Sequence, residues 1–132
     1  MPGRSSFDYA VIRVVPRVER EEFVNSGVIL FCLERDFLSA KVEVAERRLQ
    51  ALWPEIDLEL VGQHLAAIPR ICAGSPEAGP IARLSLRERF HWLVAPRSTM
   101  IQVSPVHAGL CDSPERALDE LFDRTVRLPA VR

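Results

Sequence analysis

Two stretches of the chain hold side chains able to do chemistry. The first carries Arg13, Glu22 and Asn25; the second carries Arg97, Ser98, Thr99, Gln102 and His107. Arg13 lies in the run Tyr9-Ala-Val-Ile-Arg-Val-Val15, with apolar neighbours on both strand faces. A guanidinium held away from water needs a counter-charge, because an unpaired buried charge is strongly destabilising. Glu19, Glu21 and Glu22 follow closely and supply a structural Arg–carboxylate pair; the functional alternative is an anion-binding arginine. Arg97-Ser98-Thr99 sets a planar cation beside two hydroxyls, a set suited to phosphate or carboxylate. A turn with hydroxyl-to-backbone bonds uses the same residues. His107 is a candidate acid/base, since an imidazole ordinarily titrates near neutral pH. It stands four residues before Cys111, across Gly109, which is at most half a metal site. His64 and His91 lie on expected helices with no dependable carboxylate at ligand spacing, so neither a metal nor a cofactor is expected. No phosphate-cradling glycine loop, dinucleotide fingerprint or nucleophile elbow occurs.

These groups must be positioned by the elements around them. Tyr9–Val15 is β-branched, apolar on both faces and stopped by Pro16, which reads as a central strand. Phe23–Leu33 reads as a second strand, with Asn25 and Gly27 on the face of Ile29 and Phe31. Gly27 marks a bulge or a close backbone approach, with room for a neighbouring side chain or a ligand. Phe37–Val44 alternates, with Leu38, Ala40, Val42 and Val44 inward and Ser39, Lys41 and Glu43 outward. One wet face predicts a meander covered on one side.

The period then turns helical. Glu46–Trp53 ends at Pro54, and Asp57 caps a helix with the stripe Val61, Leu65, Ile68 and Cys72, which Pro69 should kink or end. Ala73–Pro80 is a loop by its glycine and proline content. Ser85-Leu-Arg-Glu88 is a capping box that opens a helix to about Val94, although Phe90, Trp92 and Val94 also alternate as a strand would. Ser98–Val103 reads as a fourth strand and Ser104–Gly109 as a loop. Ser113-Pro114 starts a last helix lined by Leu118, Leu121, Phe122 and Thr125. The expected class is α+β: an antiparallel sheet of about four strands, an N-terminal three-strand meander plus a later one, covered by three or four helices.

The chain has 132 residues, enough for a single domain over 1–132. A domain of this size buries roughly two-thirds of its unfolded surface, so a core forms without staples. Seventeen basic and 18 acidic side chains leave a net charge of -1, so net charge gives nucleic acid no support as a partner. No apolar run is long enough to span a bilayer and no secretory signal opens the chain, so a cytoplasmic location is expected and no membrane partner. Cys32, Cys72 and Cys111 are too few and too far apart for a disulfide framework, and read as reduced, buried thiols.

The opening Tyr9-Ala-Val-Ile-Arg-Val-Val-Pro16, Glu19-Arg20, Glu22-Phe-Val-Asn25, Gly27-Val28 and Leu30-Phe31 resembles that of a bacterial family known as domain of unknown function 3037. Phe90-His-Trp-Leu, Ala95-Pro-Arg-Ser-Thr99, Gln102, Ser104-Pro105, His107 and Gly109-Leu110 resemble its second block. Ser26 departs from a hydrophobic residue in the family, which bears on local packing. The resemblance carries over no catalytic residue. Members of the family often sit beside a kinase-like protein of the persistence-toxin class, which implies a partner role.

Two functional readings compete. One is a non-enzymatic partner or regulatory module, acting on another protein such as that kinase-like neighbour. The other is a small enzyme or binder of an anionic ligand, a nucleotide or nucleic acid, with the arginines holding the anion and His107 moving a proton. The second requires both polar blocks to converge on one cleft.

Overall fold

The structure is a computed structural model that describes residues 3–97 and 99–128. Strand β1 spans Ser5–Val14, β2 Val24–Cys32 and β3 Phe37–Val42, each antiparallel to the one before. Helices α1 (Glu46–Leu52), α2 (Leu58–Ala73) and α3 (Leu86–Leu93) follow. Two short strands, β4 (Ile101–Val103) and β5 (His107–Cys111), precede α4 (Pro114–Thr125). Among the described residues the order β3-β2-β1-β4, with β5 also on β1, gives a five-stranded antiparallel sheet with four α-helices, an α+β fold.

β1 is the central strand. Its Asp8–Val14 segment pairs with β2, while its other edge takes β4 against Ile12–Val14 and β5 against Ser5–Tyr9. Ser104 bridges the gap between the two short strands. Its N–H donates to Val11 O at 2.8 Å, and its Oγ accepts from Val11 N at 2.9 Å where a carbonyl would otherwise stand. The stretch read as a loop therefore becomes strand from His107 onward. Its Ala108 and Gly109 carry no β-periodic signal, and their pairing depends on β1 starting at Ser5, earlier than its apolar run indicates.

Both faces of the sheet are covered. Ile12, Val14, Ile29, Phe31 and Leu38 pack against Leu49 of α1, Val61 and Leu65 of α2, and Phe90 and Leu93 of α3. On the other face Phe7, Val28, Leu30, Cys32 and Cys111 pack against Leu118, Phe122 and Val126 at and after α4. The expected wet side is thus covered by α4. Lys41, read as solvated, lies 4.9 Å from the Phe122 ring and pairs with Asp119 at 3.1 Å. An ammonium over an aromatic face is attracted by the ring's negative face.

The register shifts by one residue between Ile12 and Arg13: Ile12 pairs with Gly27, but Arg13 pairs with Asn25. Ser26 is the extra residue, fully buried, with Oγ donating to Val24 O at 3.1 Å. This bulge turns Asn25 away from the face of Gly27, Ile29 and Phe31, where a regular alternation puts it. A Cβ at Gly27 would lie 2.7 Å from Lys41 O and 2.9 Å from Ile12 Cδ1, so the space beside this glycine is filled by the fold itself.

The caps follow the sequence. Asp57 accepts from Leu60 N, Ser85 and Glu88 form the reciprocal box, and Ser113 accepts from Arg116 N. Phe90 and Leu93 face the core from a helix, which settles the helix–strand ambiguity there. Pro69 does not end α2, which runs on to Ala73 and closes at Gly74 with φ 72°. Beyond the proline, Ile71 and Cys72 are buried, and the Arg89 guanidinium donates to their carbonyls at 3.1 and 2.7 Å. Those contacts offset the hydrogen bond Pro69 removes.

Gly27→Ala places a methyl group against backbone. The variant is expected to lose about 1–3 kcal/mol of stability, read as a lowered urea midpoint with an unchanged slope; an unshifted midpoint would show that the approach is not tight.

Candidate functional site

A groove of about 320 Å³ opens at the end of β1, lined by Arg13, Val15, Val18, Glu21, Phe23, Arg97 and Gln102. The β1–β4 register helps assemble it. Arg13 pairs with Gln102 of β4, so their side chains share one face. Arg13, Arg97 and Gln102, drawn from both polar blocks, therefore meet in one place.

Arg13 is the uncommitted group among them. Its guanidinium carbon lies 4.2 Å from the centroid of the Phe23 ring. Its Nε is buried and makes no hydrogen bond to the described residues. The expected ion pair with a neighbouring glutamate does not form among the described residues: other arginines take Glu19 and Glu22, and Glu21 stays unpaired. Arg17 pairs with Glu19 at 2.8 Å and Arg20 with Glu22 at 2.6 Å. The hydrogen bond from Arg20 also holds the Glu22 carboxyl below its ordinary range. Glu21, at φ 58°, lines the groove without an ion pair to the described residues.

Arg97 has a structural occupation. It donates to Trp92 O at 2.7 Å and Leu93 O at 3.5 Å, and lies 4.3 Å from the Trp92 ring. A cation on the last carbonyls of α3 completes that helix end. Gln102 Nε2 donates to Thr99 O at 2.9 Å. Thr99 Oγ1 donates to Ile101 O, the hydroxyl-to-backbone arrangement of a turn, and faces a second cavity. That cavity, about 470 Å³, is lined by apolar residues including Ile68, Ile71, Leu93, Met100 and Ile101, with Trp92 and Arg97 at its side.

The other candidates do not line the groove, although Asn25 stands opposite Arg13 on β2. Asn25 Nδ2 donates to Thr125 O at 3.1 Å and ties β2 to the end of α4. His107 pairs with Tyr9, their rings 5.3 Å apart. Tyr9 is four strand residues from Arg13, roughly 13 Å along β1, so the imidazole is outside the groove. Ser98 lies outside the described residues. Phe23, Glu21 and Val18 are groove residues with no functional signature in the sequence; only their nearness to Arg13 in the chain points to them.

All three cysteines are free and buried, and burial pushes the Cys72 thiol up to about 12, against a smaller opposing pull from Arg89. Among the described residues no three histidine, cysteine or carboxylate side chains form a metal-binding group.

Residues 9–126, nearly the whole chain, match a family model described as protein of unknown function, DUF3037. The chain belongs to that family. No curated protein and no solved structure matches it. The DUF3037 match runs from Tyr9 in β1 to Val126 after α4, so the Arg13 groove and the apolar cavity both lie within the family domain. Among the described residues no helix is long and apolar enough to cross a membrane.

The buried Cys72 thiol links stability to pH. Its folded pKa is raised, so the unfolded chain ionises first. Its contribution is complete below the ordinary thiol value of 9.0 and is lost as pH rises toward about 12. Urea midpoints measured across that range should fall less steeply in Cys72→Ala than in the wild type; identical slopes would exclude this thiol as the cause.

Proposed function

We propose that this protein is a non-enzymatic partner-binding module, bacterial and cytosolic, that receives a carboxylate of another protein on Arg13. One observation carries the reading. Arg13 stands on Phe23 with a buried, unbonded Nε, facing a groove open to solvent. A guanidinium placed over an aromatic ring keeps its charge uncommitted, and a carboxylate entering the groove can accept charge-assisted hydrogen bonds from it.

Glu21 separates a protein partner from a polyanion. A carboxylate on the groove wall repels an approaching nucleic acid or nucleotide, while a protein segment can bring an acid for Arg13 and a base for Glu21 together. The surroundings fit the same reading. Trp92 is 41% exposed beside Arg97 and the apolar cavity, and tryptophan and arginine are the residues most enriched at binding hot spots. Most of the other polar candidates are spent inside the fold, which leaves the proton-transfer reading without its histidine in the groove. A kinase-like protein of the persistence-toxin class is the partner that the family resemblance implies.

The test uses the tagged full chain as bait against the purified kinase-like neighbour. Arg13→Met keeps the aliphatic stem over Phe23 and removes the charge. It is expected to weaken capture about tenfold or more, while Arg20→Met, outside the groove, leaves it unchanged. Calorimetry with inorganic phosphate and with ATP runs in parallel. Saturable binding of either that Arg13→Met abolishes, without capture of the kinase, would replace the partner reading by that of a free-anion binder.

A further inference from the structure

A second groove, about 510 Å³, lies on the α4 face of the sheet, away from Arg13. α4 packs over β2 and β3, which leaves this hollow between α4 and the β1–β5 flank. Tyr9 and the half-buried Ala117 and Leu121 contribute to its lining.

Its charged residues follow a pattern. Asp112, Arg116, Glu120 and Arg124 all line it, and they recur every four residues as acid, base, acid, base. Four-residue spacing puts Arg116, Glu120 and Arg124 on one stripe of α4. Asp112 continues the series just before the Ser113 cap. Opposite charges at this spacing commonly pair along their own helix. Here none of the four makes an ion pair with the described residues, although Asp123, on another side of the helix, pairs at 3.2 Å with Arg127 just past the helix end. Arg4, at the start of the described chain, also lines the groove.

We infer that this groove is a self-association surface that takes α4 of a second copy of the chain, laid antiparallel to its own. The alternation is complementary to itself in that one sense. Reversed and set alongside, Arg116 faces Glu120 of the second copy, Asp112 faces Arg124, and each contact is repeated by the two-fold axis, as a symmetric interface requires. A parallel arrangement places each charge on its own kind. A partner of uniform charge meets repulsion at two of the four positions. The half-buried Ala117 and Leu121 give the incoming helix an apolar floor, and the charge ladder sets its register.

Sedimentation equilibrium on the full chain tests this, with circular dichroism confirming that each variant is folded; the substituted side chains are exposed. The wild type is expected to form a dimer of the 14.9 kDa chain that weakens as salt is raised. Arg116→Glu sets like charges against each other twice per dimer and should weaken association by about tenfold or more. The double variant Arg116→Glu, Glu120→Arg exchanges the charges and should restore it. A wild type that stays monomeric at all concentrations overturns the inference. So does a dimer indifferent to Arg116→Glu, or one lost in the single variant and not recovered in the double.

Discussion

The bulge at Ser26 decides what the polar ends of the two longest strands can do. Side chains alternate along a strand, so one extra residue exchanges the faces of everything beyond it. With Ser26 inserted opposite the Ile12–Arg13 step, Asn25 turns to the α4 side and bonds Thr125 O. Gly27 makes this possible. Its missing side chain lets Lys41 O and Ile12 approach to distances no Cβ would allow, and the register on either side is then held by buried apolar residues. The Arg13 groove forms at this end of the sheet, with Phe23 just before β2 on one side of β1 and Gln102 of β4 on the other.

The groove shows how much polar capacity a small fold consumes internally. Asn25, Arg97, Thr99 and Gln102 each bond a backbone acceptor near a helix end or a strand end. A backbone carbonyl withdrawn from water must be bonded by something, and in a domain of this size the nearest polar side chain does it. Arg13 differs because, among the described residues, its close partner is the Phe23 ring. Aromatic stacking orients a guanidinium without using its hydrogen-bond donors, which leaves the charge available to whatever enters.

Local chemistry was legible in the sequence and long-range pairing was not. Asp57, Ser85 with Glu88, and Ser113 with Pro114 mark helix starts because a cap acts within three residues. Tyr9–Val15 reads as central because β-branched residues fill both faces. By contrast, β5 is built from His107, Ala108 and Gly109, which become strand only because the early part of β1 offers them an edge. The cover that α4 gives the second face is equally invisible at Lys41, whose long stem passes for a solvated side chain. For the site, the two blocks were identifiable by residue type and three of their members do converge. The competition for carboxylates was hidden: Glu19 and Glu22 are as close in the chain to Arg17 and Arg20 as to any other base, and spacing alone does not say that those arginines win. Pro69 misleads for a related reason, since the contacts that carry α2 past it come from Arg89, far along the chain.

Ser104 has a consequence for the rim of the sheet. By supplying a hydroxyl where a carbonyl would stand, it lets the outermost row break at Pro105, which has no N–H to offer, without leaving Val11 unbonded. The rim is thus two short segments, Ile101–Val103 and His107–Cys111, rather than one continuous strand. A stray extended chain finds too few consecutive donors and acceptors there to zip onto. The same hydroxyl that completes the ladder also guards an otherwise uncharged border against templated, fibril-like growth.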